Sequence, residues 1–269
     1  MSFVSFVSKN NDIPFVVKRR VFDAALISAL LYGCESWVGA DLKPMVKLYN
    51  WAIKQLLGVR KSTPNDVCYA EVGYPSLPDL VRRKQHKFYQ KIVMERENLL
   101  DNPFMFALGV STRANTPMSA TIRSFLHTDV PDMHDLMRNV HERIASSGGS
   151  RCIVYRTLNP SLTVHRLYTE RHVVNDRFRV SFTRFRVSGH SLAIETGRWN
   201  RRGRGRLPVE ERLCVCGQLQ TEKHVVETCP VSRGVRQLYG LFRIEDLFNH
   251  TYNDEKTCKI IYDILKLYY

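Results

Sequence analysis

Apolar residues in the first hundred positions recur at helical spacing. Between 42 and 57, Leu42, Met45, Val46, Tyr49, Ile53, Leu56 and Leu57 fall on one face, while Lys43, Lys47, Asn50 and Lys54 fall on the other. That is the period of an amphipathic helix, and Gly58 supplies its stop. Upstream, Asp12 stands two residues before Pro14 and predicts a capped helix over 14–31 with proline in its first turn. This stretch, "PFVVKRRVFDAALISALL", is apolar almost all round after Val21, so it is expected to be buried, with Gly33 ending it. A third pattern covers 77–98 and begins at Ser76, with Asp79 three residues on as a capping box. It sets Leu80, Val81, Phe88, Ile92 and Val93 inward, and Arg82, Arg83, Lys84, Lys87 and Lys91 outward.

Punctuation replaces periodicity between 101 and 131, where Pro103, Gly109, Pro117 and Pro131 separate short apolar pieces. Helical spacing returns over 132–145, and "SSGGS" at 146–150 reads as a linker. The tail "DEKTCKIIYDILKLYY" places Ile260, Ile261, Ile264, Leu265 and Tyr268 on one face of a last amphipathic helix. The expected fold class is mainly α. The expected divisions are a helical region over 1–110, an irregular and helical connection over 111–150, an Arg-rich segment over 151–235, and a helical tail over 236–269.

Composition changes the picture through charge. Lysine plus arginine number 40 against 26 acids, a net +14 with a pI near 9.6. An excess on this scale favours polyanionic partners, nucleic acid before anionic membrane. Basic residues also change type: from Arg151 to Arg212 there is no lysine. Between 177 and 212, ten arginines (177, 179, 184, 186, 198, 201, 202, 204, 206 and 212) face three glutamates, which places half of the net charge there. The 44% hydrophobic content belongs to a folded chain. The longest uncharged apolar run, "AALISALLYGC", is about half of a bilayer span, and "MSFVSFVSKNND" lacks the layout of a secretory signal. Cys34, Cys68, Cys152 and Cys258 are scattered through apolar stretches of a chain with an odd total of seven cysteines. That usage suits a reducing compartment. The expectation is an intracellular protein, nuclear or cytoplasmic, neither secreted nor membrane-bound.

The other three cysteines sit together in "RLCVCGQLQTEKHVVETCP" (212–230) with one histidine. Cys214, Cys216, His224 and Cys229 are thiolate and imidazole donors, four in number, as a tetrahedral zinc ion requires. In an extended segment Cys214 and Cys216 would point to one side. Gly217 permits the turn, Thr221 can cap a short helix presenting His224, and that helix should end before Cys229 and Pro230. Any one of these residues alone reads as packing. Four donors around a turn glycine read as one structural zinc, because four protein ligands close the coordination sphere.

Two stretches carry a family resemblance. "VFDAALISALLYGCESW" (21–37), followed by "LYNWAIKQLLGVRKSTPNDVCYAEVGYPSL", resembles the region just after the palm of reverse transcriptases from non-LTR (LINE-like) retrotransposons. "SGHSLAIETGRW" with "LPVEERLCVCGQLQTEKHVVETCP" resembles the distal, Cys-Cys-His-Cys end of the same polyproteins. The resemblance implies that 1–110 is thumb-like and tracks a template–primer duplex. It also implies that Cys214, Cys216, His224 and Cys229 bind zinc and help to position nucleic acid. The family's palm carries paired aspartates for two-metal nucleotidyl transfer. This chain has no Asp-Asp pair, so the expectation is a truncated, non-enzymatic remnant.

The nucleic-acid contacts expected on this reading are sequence-independent and made to RNA or DNA. They fall on Lys43, Lys47, Lys54, Arg60, Lys61, Arg83 and Lys87, and on Arg198, Trp199, Arg201, Arg202, Arg204 and Arg206 of "GRWNRRGRGR". Phe178, Phe182 and Phe185 could stack on bases, but at spacings of four and three they make a helical stripe that reads as core, whereas Trp199 reads as surface. The bland reading of the basic faces is a solvated surface. The alternative function is a protein-interaction or structural helical protein that associates through the apolar helix at 15–31. A zinc hydrolase is disfavoured, since no general-base pair stands near the cluster.

Overall fold

A computed structural model of the chain describes residues 3–94, 116–171, 173–199, 205–249 and 252–268. It opens with α1 (Phe3–Lys9) and α2 (Phe15–Phe22), which runs on through a π-helical turn, Asp23–Ile27, into α3 (Ser28–Leu30). Asp12 does not cap α2. Pro14 occupies that position with the extended backbone a cap residue needs, and Asp12 instead accepts a hydrogen bond from Asn175 Nδ2 at 3.2 Å. Nor is 14–31 buried all round: Phe15, Phe22 and Leu30 are inside, while Ala24, Ala25 and Ala29 face out and Tyr32 is 84% exposed. The outward side is mostly alanine, so little apolar area is left uncovered.

α4 (Lys43–Leu57) follows the predicted period, with Tyr49, Ile53, Leu56 and Leu57 buried. Lys54 departs from it. Its side chain is buried and Nζ donates to the Lys61 carbonyl at 2.9 Å; the same burial lowers its pKa. Gly58 ends the helix at φ 73°, where Val59 N–H closes onto the Lys54 carbonyl. A Cβ there would also sit 2.8 Å from Val180 Cγ2, so the turn and the approach of a later helix both require glycine. α5 (Asn65–Val72) and α6 (Leu77–Met94) follow; 95–98, expected to continue α6, lie outside the described residues. α7 (Pro117–Leu126) forms within the punctuated region on a Thr116–Ser119 capping box and packs on α6 around Tyr89, Ile122 and Phe125. α8 (Met133–Ser146) starts on a second box, Asp132 with Asp135.

α9 (Ser150–Leu158) begins inside the expected linker. "SSGGS" does not separate two cores: one apolar cluster joins Val7, Leu57 and Val140 to Tyr155, Phe185 and Leu265. After α10 (Arg166–Thr169) comes α11 (Asp176–Arg186), with Phe182 and Phe185 fully buried. Phe178 meets Tyr262 edge-on at 5.0 Å. α12 (Ala193–Thr196), α13 (Glu222–Glu227), α14 (Arg233–Tyr239) and α15 (Asp254–Lys266) complete the chain. α15 lies along α11 and inserts the predicted Ile260, Ile261, Ile264 and Leu265. The fold is mainly helical; among the described residues the single β feature is an isolated antiparallel bridge, Leu213 with Leu219.

Buried charge ties the two halves. Glu71 of α5, 0% exposed, receives Arg186 Nε at 2.8 Å and Nη2 at 3.1 Å, Tyr168 Oη at 2.8 Å and Tyr155 Oη at 2.9 Å. Burial opposes the Arg186 charge, but the Glu71 carboxylate outweighs it and raises the pKa. Burial, with Glu71 adding to it, keeps both tyrosines protonated as donors. A second buried set, Lys18 with Asp176 at 3.0 Å and Arg179 with Asp176 at 2.6 Å, fastens α2 to α11.

Removing one partner of a buried pair strands the other charge. Glu71→Leu should therefore lower stability by about 3–5 kcal/mol, and Glu71→Leu with Arg186→Met should recover a good part of it. Urea unfolding of the full chain measures both; a loss below about 1 kcal/mol would show that the network is not structural.

Candidate functional site

The Leu213–Leu219 bridge closes a tight loop. Within it Cys214 N–H donates to the Gln218 carbonyl at 2.7 Å, Gly217 N–H donates to the Cys214 carbonyl at 2.8 Å, and Gly217 takes φ 85°. Cys216 therefore comes from a turn and not from an extended segment; curvature, rather than strand alternation, brings it beside Cys214. Thr221 caps α13, its Oγ1 accepting from His224 N–H at 3.1 Å. The helix ends at Glu227, and Cys229 N–H returns to the His224 carbonyl at 2.9 Å.

These local rules gather four donors. The ligand atoms of Cys214, Cys216, His224 and Cys229 all lie within 4.8 Å of one another. Cys214 Sγ is 3.6 Å and Cys216 Sγ 3.9 Å from Cys229 Sγ, and Cys216 Sγ is 3.2 Å from His224 Nε2. Such separations are far too long for disulfides and suit the edges of a tetrahedron around one small cation. The group could hold a metal ion. His224 Nδ1 lies 3.1 Å from Thr228 Oγ1, to which it can donate, leaving the Nε2 lone pair to face the thiols. Burial, with Arg236 nearby, lowers the His224 pKa and favours the neutral ring that ligation needs. Burial pushes the Cys214 thiol up; at Cys229 burial acts the same way, but the Tyr268 hydroxyl and Val231 N–H outweigh it and favour the thiolate.

The remaining cysteines stand apart, all buried. Burial pushes Cys34 up to about 11 and Cys68 up to about 12, so both are neutral packing groups. A second grouping, Asp132, His134 and Asp135, is mostly exposed and includes the capping box of α8, which accounts for its two carboxylates.

Supporting residues came from outside the cysteine pattern. Glu222, beside the helix cap, is buried and takes His190 Nε2 at 2.9 Å, with Ser188 Oγ at 3.4 Å. Gln220 Oε1 accepts from Ala193 N–H. Arg212 donates to the Ile194 carbonyl at 3.0 Å and the Leu207 carbonyl at 2.7 Å. The two stretches "SGHSLAIETGRW" and the cysteine segment are therefore one packed unit. No local signal announces this contact, since His190 and Glu222 are flanked by polar residues in the sequence.

The basic residues divide. Lys43, Lys47, Lys61, Lys87 and Arg206 are exposed, while Arg83 is half-buried and donates to the Pro131 carbonyl at 2.9 Å. Lys54 is inside, as described. Arg60, 139 positions from Trp199 in sequence, lays its guanidinium 4.2 Å from that indole's centroid. Arg198 Nε pairs with Glu195 at 2.8 Å. Arg201, Arg202 and Arg204 lie outside the described residues. Of the ten arginines of 177–212, Arg179, Arg186 and Arg212 are buried and Arg184 donates to the Gly58 carbonyl at 2.8 Å, so much of that charge holds the fold. No helix is long and apolar enough to cross a membrane among the described residues.

No protein-family model, curated protein or solved structure matches the chain.

Burial alone would raise the Glu222 pKa, but hydrogen bonds from His190, the α13 backbone and Ser188 outweigh it and hold it below its ordinary 4.5. A depressed folded value means that the stabilisation is present above the unfolded pKa and is lost as pH falls through the folded one. Between about pH 5 and pH 3, a Glu222→Gln variant should therefore lose less stability than the parent chain. Equal acid-side slopes in urea unfolding would remove Glu222 from this role.

Proposed function

We propose that the chain is a non-catalytic nucleic-acid-binding protein whose cysteine knuckle is built on one structural zinc ion. The observation that carries the reading is the convergence of three thiols and one imidazole, drawn from a turn and a helix, within 4.8 Å. Zinc–thiolate bonds of about 2.3 Å imply sulfur–sulfur edges of about 3.8 Å in a tetrahedron, and the observed edges between 3.6 and 3.9 Å bracket that value. Four protein donors leave no position for a reacting water, which supports a structural ion over a hydrolytic one. Knuckles of this size contain little core of their own, and metal binding supplies folding energy.

Nucleic acid as partner is supported by the net +14 and by exposed Lys43, Lys47, Lys61, Lys87 and Arg206. The resemblance to non-LTR retrotransposon reverse transcriptases supports the same partner and a relation to the thumb and distal parts of such an enzyme. Nucleotidyl transfer is left out of the proposal because the chain has no Asp-Asp pair for two-metal chemistry. A second reading, protein association without nucleic-acid function, is favoured by Leu238 and Phe242, each 76% exposed.

Elemental analysis should find one zinc per chain, lost in Cys229→Ser; zinc-free protein, or a variant with unchanged zinc, would refute the metal assignment. Affinity for nucleic acid near physiological salt should fall with a log–log slope of roughly −3 to −4, for about four neutralised phosphates. Changing Arg198, Arg201, Arg202, Arg204 and Arg206 together to alanine should remove most of it. No binding near physiological salt would favour the protein-association reading.

A further inference from the structure

A hollow of about 430 Å³ opens where three remote parts of the chain meet: Ser62, the first turn of α9 with Ser150 and Arg151, and the side chains of Arg198, Trp199 and Arg206. Its electrostatics are one-sided. Among the described residues no carboxylate lines it. Glu195 lies behind it, 1% exposed, and takes Arg151 Nε at 2.6 Å and Arg198 Nε at 2.8 Å. Arg151 also donates to the Ser62 carbonyl. One buried carboxylate therefore fixes the planes of two guanidinium groups but neutralises only one of them, and Arg206 adds a further exposed charge. The first turn of α9 carries no acidic residue and no side-chain cap, so the positive end of that helix adds to the same field.

Charge alone would suit any anion. Trp199 narrows the choice. It is 38% exposed and lines the hollow, and the Arg60 guanidinium 4.2 Å from its centroid holds the ring in place. An indole backed by Arg60 and still open in part, next to guanidinium groups paired with Glu195, matches an aromatic base joined to a phosphate. The volume falls in the range of small-ligand sites and far exceeds a phosphate ion.

We propose that this hollow binds one unpaired nucleotide, its phosphate on Arg198, Arg206 and the start of α9, and its base stacked on Trp199. A base inside a duplex is already stacked on its neighbours and cannot offer its face, so the site selects single strands. The proposal deepens the nucleic-acid reading above and rests on it for the macromolecular source; a free nucleotide would present the same chemistry.

The test uses the full zinc-loaded chain, with zinc content checking the knuckle and the urea midpoint checking the body. Four probes are compared: a short mixed-sequence single strand, the matching duplex, a nucleoside 5′-monophosphate and inorganic phosphate. The single strand should bind roughly tenfold or more tighter than the duplex. Trp199→Ala should weaken single-strand binding by roughly 5- to 100-fold without changing its salt slope, because the lost contact is uncharged. Trp199→Phe should retain most of the affinity, and Arg206→Gln should reduce the slope by about 1. The monophosphate should compete for the site where inorganic phosphate does not. Monophosphate binding that depends on Trp199, with no binding of either nucleic acid, would support the hollow while removing the nucleic-acid reading. Equal affinity for single strand and duplex, with Trp199→Ala neutral, would overturn the hollow and leave general nucleic-acid binding intact. Inorganic phosphate competing as well as the monophosphate would also overturn it.

Discussion

The Glu71 carboxylate is cut off from water and must find every partner inside the protein. Four hydrogen bonds satisfy it, and their donors come from α9, α10 and α11. A buried charge tolerates little slack, so these helices can take few positions relative to α5. The placement of α11 then governs much else. It puts Val180 against Gly58, where only a glycine fits, and presents Phe182 and Phe185 to the core. Its end leads into Ser188 and His190, the residues that hold Glu222 beneath the cysteine knuckle. A constraint on one carboxylate thus reaches the Cys214, Cys216, His224 and Cys229 group through about two helices of packed structure.

The knuckle is the converse case. Its cysteine loop has local hydrogen bonds but no buried aliphatic side chain, with Leu213 and Val215 facing solvent, and a capped turn of helix follows it. Its anchors to the body are polar and apolar: Glu222 to His190, Gln220 to Ala193 and Arg212 to two carbonyls, with Val225 and Val226 buried in the main apolar cluster. Three thiols held so close repel one another when ionised, and a cation at their centre removes that repulsion. The body is held by burial and by buried ion pairs at Glu71 and Asp176, and the knuckle's donors could add a metal ion to that.

Periodicity revealed the long helices because each has an apolar stripe wide enough to decide its orientation. α4 and α15 fall where their stripes place them: Tyr49, Ile53, Leu56, Leu57, Ile260, Ile261, Ile264 and Leu265 are buried, and Leu42, Met45, Val46 and Tyr268 pack half-buried against them. The donor set was legible too, since Thr221, Gly217 and Pro230 punctuate the segment locally. What escaped was long-range. Lys54 reads as an outward lysine until α4 meets the loop that supplies the Lys61 carbonyl. Glu71 and α5 carry no local signal, because the partners of Glu71 lie 84 to 115 residues away. The run of arginines reads as a nucleic-acid arm, yet Arg179 and Arg186 are internal. "SSGGS" has the composition of a linker but opens a packed helix, whose first turn borders a hollow that no local pattern announces.

Hydrogen exchange on the full chain, with and without a strong zinc chelator, tests this division most directly. The account predicts that chelation strips protection from about 212–232 while the amides of α5 and α11 remain protected. Loss of protection throughout the chain would make the metal, and not the Glu71 network, the foundation of the fold. Unchanged protection in the knuckle would mean that no metal holds it.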